Sequence, residues 1–168
     1  MSKTKVPTVK MALNLLEGIE APSRGSERAA ALDLRANVDG PVLVQPGQTV
    51  MIPTGVYLDM TEDPTVAALV LPRSGLGAKQ GLVLGNGTGL IDNDYQGEIK
   101  IAAWNRNAVT SPVGLGAKRN GAIVIEPGMR LAQMLFLNIA FPELDITSFE
   151  TFEKTERGES GFGSTGTA

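Results

Sequence analysis

PGQTVMIPTGVYL, Pro46–Leu58, opens on a turn and continues as a strand. Proline at the second turn position and glycine at the third mark a type II turn, because proline presets φ and glycine accepts a positive one. Val50, Ile52, Val56 and Leu58 then predict a strand region, with a break near Pro53-Thr54-Gly55. Pro127–Ile139, PGMRLAQMLFLNI, repeats the plan, and Ile99, Ile101 and Ala103 alternate with Lys100 and Ala102 in a further strand. Working outward, 20 glycines and 10 prolines spread along 168 residues leave little room for long helices. The expected class is all-β, a sandwich, barrel or jelly roll. Two glycines limit the best helical candidate, Gly75–Gln80, to about two turns. The length suits one domain with a real core.

Composition removes several chemistries. The chain has no cysteine and no histidine. Disulfides, thiolate nucleophiles, Ser-His triads and imidazole metal sites are therefore excluded, and acid–base work near neutral pH falls to Asp and Glu. A metal, if used, is a hard ion such as Mg²⁺ held through oxygen. A net charge of -3 argues against a broad basic footprint, so no direct nucleic-acid binding is expected. No apolar run approaches the roughly 20 residues that span a bilayer, and polar residues interrupt the N-terminal apolar ones. A soluble protein with no membrane partner is expected.

Gly89–Asn105, GLIDNDYQGEIKIAAWN, places Asp92, Asp94 and Tyr95 at the approach to a strand. It reads either as a polar hairpin turn or as a carboxylate displayed at the mouth of a sheet. Pro72–Leu76, PRSGL, offers a cation, a hydroxyl and backbone amides suited to phosphate oxygens. The same residues also suit a strand-to-helix turn with Ser74 near the N-cap. Asp33, set among apolar neighbours, is either half-buried and paired or faces a bound cation. Strict alternation puts Arg130 and Gln133 on opposite faces of their strand, one of them inward and in need of a partner. GLGAK occurs at Gly75–Lys79 and at Gly114–Lys118, with no longer repeat around either. Asn107–Gly121 reads as a long polar surface loop. In the tail, ERGESGFGSTGTA, Phe162 is set to stack on a flat base while Arg157, Ser164 and Thr165 reach anionic oxygens, as a closing lid would. A flexible terminus is the simpler reading of that composition.

In chain order, AALDLRA, PRSGLGAKQGL, GNGTGLIDNDYQGEIKIAAWN, GMRLAQMLF and RGESGFGSTG resemble the five motifs of the trimeric deoxyuridine triphosphatases, the dUTPases. The resemblance runs from about Ala30 to Gly166 and is nearest to bacterial and phage members through GLIDNDYQG and WNR. It implies a β jelly roll over 1–155, assembled as a homotrimer, with a flexible C-terminal arm over 156–168. It also implies hydrolysis of dUTP to dUMP and pyrophosphate with Mg²⁺, in the cytoplasm of the cell or of a phage's host. That reaction supplies dUMP for thymidylate synthesis and limits uracil in DNA. By the same resemblance Asp92 is the general base, Tyr95 packs against deoxyribose and Asn86 reads uracil with the backbone of the Gly85–Leu90 hairpin. Arg73, Ser74, Gly75 and Gln133 hold phosphate oxygens, and Asp33 meets waters of the Mg²⁺ shell. Arg130 orients acidic groups. Phe162 covers the base while Arg157, Gly163, Ser164 and Thr165 close over the triphosphate. Each site is built from three chains.

Ala31 and Ser160 stand where the family motifs have glycine, and the Asn107–Gly121 loop is long, a surface open to a protein partner or a tolerated insertion. Two rivals remain at this point. A deoxycytidine triphosphate deaminase of the same fold carries Arg-Ser-Ser in place of PRSGL, and a nucleotide-gated regulatory protein uses ligand binding to order the tail.

Overall fold

The structure is a computed structural model that describes residues 6–108 and 121–158. Eleven strands and one short α-helix are formed among them. They are β1 (Lys10–Leu13), β2 (Ser23–Arg24), β3 (Leu32–Arg35), β4 (Val42–Val44), β5 (Thr49–Asp59), β6 (Val66–Pro72), α1 (Ser74–Gln80), β7 (Leu82–Leu84), β8 (Gly89–Ile91), β9 (Ile99–Asn105), β10 (Ile123–Ile125) and β11 (Arg130–Asn138). All pairings are antiparallel. One sheet has the order β1-β5-β9-β7, a second β2-β3-β11-β6-β8, and β10 pairs with β4 apart from both. Ile52, Ile99 and Ile101 from the first sheet share one core with Leu34, Val70 and Met134 from the second. The class is all-β, as expected.

Both proline–glycine turns form. Gly47 has φ 77° and Gly128 φ 72°, and the amides of Gln48 and Met129 close the turns onto the carbonyls of Gln45 and Glu126. Strand β9 alternates as predicted, with Ile99, Ile101 and Ala103 buried and Lys100 and Trp104 exposed. Strand β5 differs from the prediction. Instead of breaking at Pro53-Thr54-Gly55 it runs on for 11 residues with a register shift between Pro53 and Val56. Gly55, at φ 67°, and the buried Thr54, whose hydroxyl donates to Ile99 O at 2.5 Å, are the two residues without a partner on β9 and form the bulge.

The chain between β6 and β9 also departs from expectation. Gly85–Leu90 is not a hairpin, because β7 pairs with β9 in one sheet while β8 pairs with β6 in the other. The Asp92–Gly97 turn then returns the chain from β8 to β9. From the end of β7 to the start of β9 the chain therefore crosses between the sheets twice within about 15 residues, a topology that places its turns at the sheet edges. Of the Asn107–Gly121 loop, residues 109–120 lie outside the described residues. Asn107 is held at its base, its amide nitrogen 2.9 Å from Gln80 O and 3.1 Å from Gly121 O. No helix among the described residues is long and apolar enough to cross a membrane.

Candidate functional site

The motif side chains form two groups, one around the β7–β9 crossings and one around Asp33. The first gathers where the chain crosses between the sheets. Asn86, Asp92 and Tyr95 are all exposed there. Asn86 lines a cleft of about 120 Å³ with Gly89, Leu90 and the strand residues Lys100–Ala102. An adjoining cleft of about 270 Å³ is lined by Met51, Tyr95, Glu98 and Ile99, and the two share Ile91 and Lys100. Tyr95 donates its hydroxyl to Glu98 O at 3.0 Å, which turns the ring back over its own turn. Glu98 is fixed in turn, one carboxylate oxygen accepting the Gly55 amide at 2.9 Å. Asp94 is exposed beside them.

Three carbonyls hold the turn from below. Asn93 Nδ2 lies 2.8 Å from Met60 O and 2.9 Å from both Asp63 O and Val66 O. Sequence reasoning passed over this residue as ordinary turn chemistry. A signal was available, since alternation onward from Ile91 turns Asn93 inward between two outward aspartates.

The second group surrounds Asp33, which is only 6% exposed. Arg130 donates to its Oδ2 at 3.1 Å, and Arg73 Nε lies 3.2 Å from Oδ1. The Arg73 contact lacks hydrogen-bond alignment, so Oδ1 has an ion-pair partner while accepting no hydrogen bond. Arg73 also donates to Arg130 O at 3.2 Å. The carboxylate thus aligns two guanidiniums, an arrangement in which removing one partner leaves a buried charge uncompensated. Gln133 sits directly across from Asp33 in the β3–β11 pairing. The expectation that Arg130 and Gln133 face opposite ways is corrected here. A register shift between Arg130 and Ala132 buries Leu131 and Ala132 in succession and brings Arg130 round to the Asp33 side.

Arg73, not Ser74, is the N-cap of α1, and no side chain caps that end. Ser74 is the first helical residue, exposed with Gly75, which has open space where a side chain would be. The helix stops at Gly81, φ 77°. Arg106, the last residue of the WNR run, braces it from the side by donating to Gly77 O at 2.8 Å. The buried Asn105 before it ties Val44 O and Gly121 O together.

Asp92 and Arg73 do not meet within one chain. Ile91 pairs with Ala68, which sets Asp92 level with Ala67, whereas Arg73 follows the far end of β6. At ~3.3 Å per residue the six steps from Ala67 to Arg73 separate these levels by about 20 Å.

A larger cleft of about 660 Å³, between Phe149, Phe152, Lys154, Thr155 and Gly158, includes none of these residues. It belongs to a C-terminal segment whose Phe141, Leu144, Ile146, Phe149 and Phe152 are exposed. Arg157 is exposed at its end. Phe162, Gly163, Ser164 and Thr165 lie outside the described residues.

A family model described as dUTPase matches residues 17–166 of the chain. A deoxyuridine 5'-triphosphate nucleotidohydrolase of Pasteurella multocida is 48% identical over 145 residues, covering 86% of each chain. Among solved structures, the dUTPase of Staphylococcus bacteriophage 80alpha with dUPNHPP aligns at a TM-score of 0.81 and 27% identity, over 96% of this chain and 100% of that one. A mutant dUTPase of phage phi11 of S. aureus, which coordinates a structural Mg(II) ion, aligns at a TM-score of 0.71 and 25% identity, over 86% and 99%.

Proposed function

The chain belongs to the dUTPase family, and from that premise we propose that it hydrolyses dUTP to dUMP and pyrophosphate by in-line attack of water on the α-phosphorus. Asp92 accepts the proton of that water as the new phosphorus–oxygen bond forms. The bond from the α-phosphorus to the bridging oxygen breaks, and pyrophosphate leaves with that oxygen. Asn86 reads the uracil edge. A base with the wrong donors leaves a buried polar group unmatched, which costs about 1–3 kcal/mol. The Tyr95 ring lies along the deoxyribose and leaves no space for a 2′-hydroxyl. Arg73, Ser74, Gly75 and Gln133 take phosphate oxygens, and the arm 156–168 closes with Phe162 over the base and Arg157, Gly163, Ser164 and Thr165 over the phosphates. The cytoplasm, where the nucleotide pool lies, is the location that goes with this activity.

The observation that carries the reading is a pair of joined clefts, one lined by Asn86 and the other by Tyr95, with the exposed Asp92 next in the chain to Ile91, which both clefts share. The distance along β6 supports an assembly in which Asp92 of one copy meets Arg73 and Gln133 of another, and we take that assembly to be a homotrimer. The exposed apolar residues of the C-terminal segment also favour cover by a further copy.

Mg²⁺ fits the donors available. Asp33 Oδ1 is buried and accepts no hydrogen bond, so it has a lone pair for a water of a hydrated ion. Among the described residues no group of three or more acidic side chains would replace those waters. Mg²⁺ characteristically keeps waters and binds through one or two carboxylates with substrate phosphates. When bound, it offsets charge on the phosphates. The remaining catalysis is positioning and fixed electrostatics from Arg73, the α1 start and Gln133.

The test is pyrophosphate release from dUTP, dCTP, dTTP and UTP with Mg²⁺. Turnover of dUTP alone at low enzyme concentration is expected, nearly abolished in Asp92→Asn. Ammonia released from dCTP would assign the fold to deamination instead, and equal turnover of UTP would remove the role given to Tyr95.

A further inference from the structure

The turn that carries Asp92 has a single internal hydrogen bond, from the Tyr95 amide to Asp92 O at 3.1 Å. Its attachment to the body of the protein comes from the next side chain. Asn93 Nδ2 meets Met60 O at 2.8 Å and Asp63 O and Val66 O at 2.9 Å each. An amide has two N–H donors, so three acceptors share two protons and the nitrogen is boxed in from three directions. Two of the acceptors belong to the loop between β5 and β6 and the third to the first residue of β6, and this connection is braced before Asn93 arrives. The Asp63 amide donates to Met60 O and the Val66 amide to Asp63 O, while Asp59 and Asp63 each bind the amide and hydroxyl of a threonine two residues on. A stiff cradle on one strand connection thus grips the tip of another. Tyr95 is tied elsewhere, to Glu98 O.

We propose that Asn93 is a positioning residue for hydrolysis: its amide, clamped by the carbonyls of Met60, Asp63 and Val66, sets the direction in which Asp92 points. The proposal rests on the reading of Asp92 as the general base. Its consequence is a division of labour. Loss of the clamp lets the Asp92 carboxylate wander while Asn86 stays on the separate β7–β8 connection and Tyr95 keeps its bond to Glu98 O, so the chemical step suffers and nucleotide binding does not. A misplacement of 1 Å at a reacting group is enough for a loss of about 10²-fold.

The experiment compares wild type with Asn93→Ala and Asn93→Ser, the serine keeping one short donor in case alanine fails to fold. We expect kcat for dUTP to fall by about 10- to 100-fold, with KM and the affinity for an α,β-imido analogue of dUTP within about threefold of wild type. Amide hydrogen exchange adds a readout independent of turnover. It should accelerate at residues 60–66 and 92–95 of the variant and stay unchanged in β9. A kcat within twofold of wild type overturns the proposal, as does a parallel loss of kcat and analogue affinity, or unchanged exchange in both segments. Wild-type protein without dUTP turnover, or full activity in Asp92→Asn, sinks the general-base reading instead, and the exchange result then still decides whether the clamp exists.

Discussion

The proposed function gives sugar discrimination to Tyr95, whose position is set by a missing side chain. A Cβ built on Gly97 falls 2.5 Å from the Tyr95 hydroxyl and 2.7 Å from the carbon bearing it. Neither contact is tolerable, so alanine there must push the ring off the Glu98 carbonyl and away from the adjoining cleft. The substitution Gly97→Ala is therefore expected to narrow the preference of dUTP over UTP by about tenfold or more, since exclusion of one hydroxyl by shape depends on how closely the ring fits. Competition between the two nucleotides measures it directly. An unchanged preference would mean that Tyr95 does not fill the space beside C2′.

At the scale of elements, the β5–β6 loop is built by paired Asp–Thr contacts that leave a trace in its titration. The Asp59 carboxyl is held below the usual carboxylate range, first by the Thr61 hydroxyl, then by the Thr61 amide, with Lys10 adding less. Lys10 is raised above the ordinary lysine value by its hydrogen bond and attraction to Glu62, and by Asp59. The signs follow from linkage. The depressed Asp59 contributes stability above its unfolded pKa, and that contribution is lost as pH falls through the lower folded value. The raised Lys10 contributes below its ordinary value and loses the contribution as pH rises through the folded one. Both side chains meet solvent, so the effect on stability is small. The titration itself is the better probe: Thr61→Val should move the Asp59 carboxyl back up, followed by carboxyl NMR. An unmoved titration would deny the hydroxyl its leading part.

The same scale explains what the sequence discloses and what it hides. Pro46-Gly47 and Pro127-Gly128 were legible because a type II turn is decided by the two residues within it. Strand β9 was legible because one face is buried and the other is not, which writes itself as alternation. The bulges in β5 and β11 were not, since an added residue is defined by the partner strand, and Pro53-Thr54-Gly55 alone reads as a break. The crossing of β7, β8 and β9 between sheets was likewise invisible, because Gly85–Leu90 has the composition of a hairpin and only pairing with β6 and β9 shows otherwise. Resemblance supplied Asp33, Arg73, Asn86, Asp92 and Gln133, but not Asn93, whose three acceptors lie about 30 residues back along the chain.

For the whole molecule, the proposed roles of Asp92 and Arg73 make a demand that the length of β6 keeps a single chain from meeting. Asp92 and Arg73 cannot act on one phosphate chain while about 20 Å of strand lies between their levels. If each catalytic centre combines Asp92 of one copy with Arg73 of another, two defective chains can repair each other. Asp92→Asn keeps an intact Arg73, and Arg73→Ala keeps an intact Asp92. Alone, each variant should be nearly inactive. Unfolded, mixed in equal amounts and refolded together, they should form trimers in which some sites draw Asp92 from the second variant and Arg73 from the first. Random assembly gives such sites a probability of one half for each donor, so about a quarter of the wild-type rate returns. Arg73→Ala carries one complication, because it also takes a partner from the buried Asp33. Ser74→Ala, at an exposed position of the same phosphate group, serves as a second donor that leaves the Asp33 pairing in place. Mixtures that stay as inactive as their components, with trimers verified by light scattering, would require both groups to come from one chain, and the β6–β8 register would then have to change to bring them together.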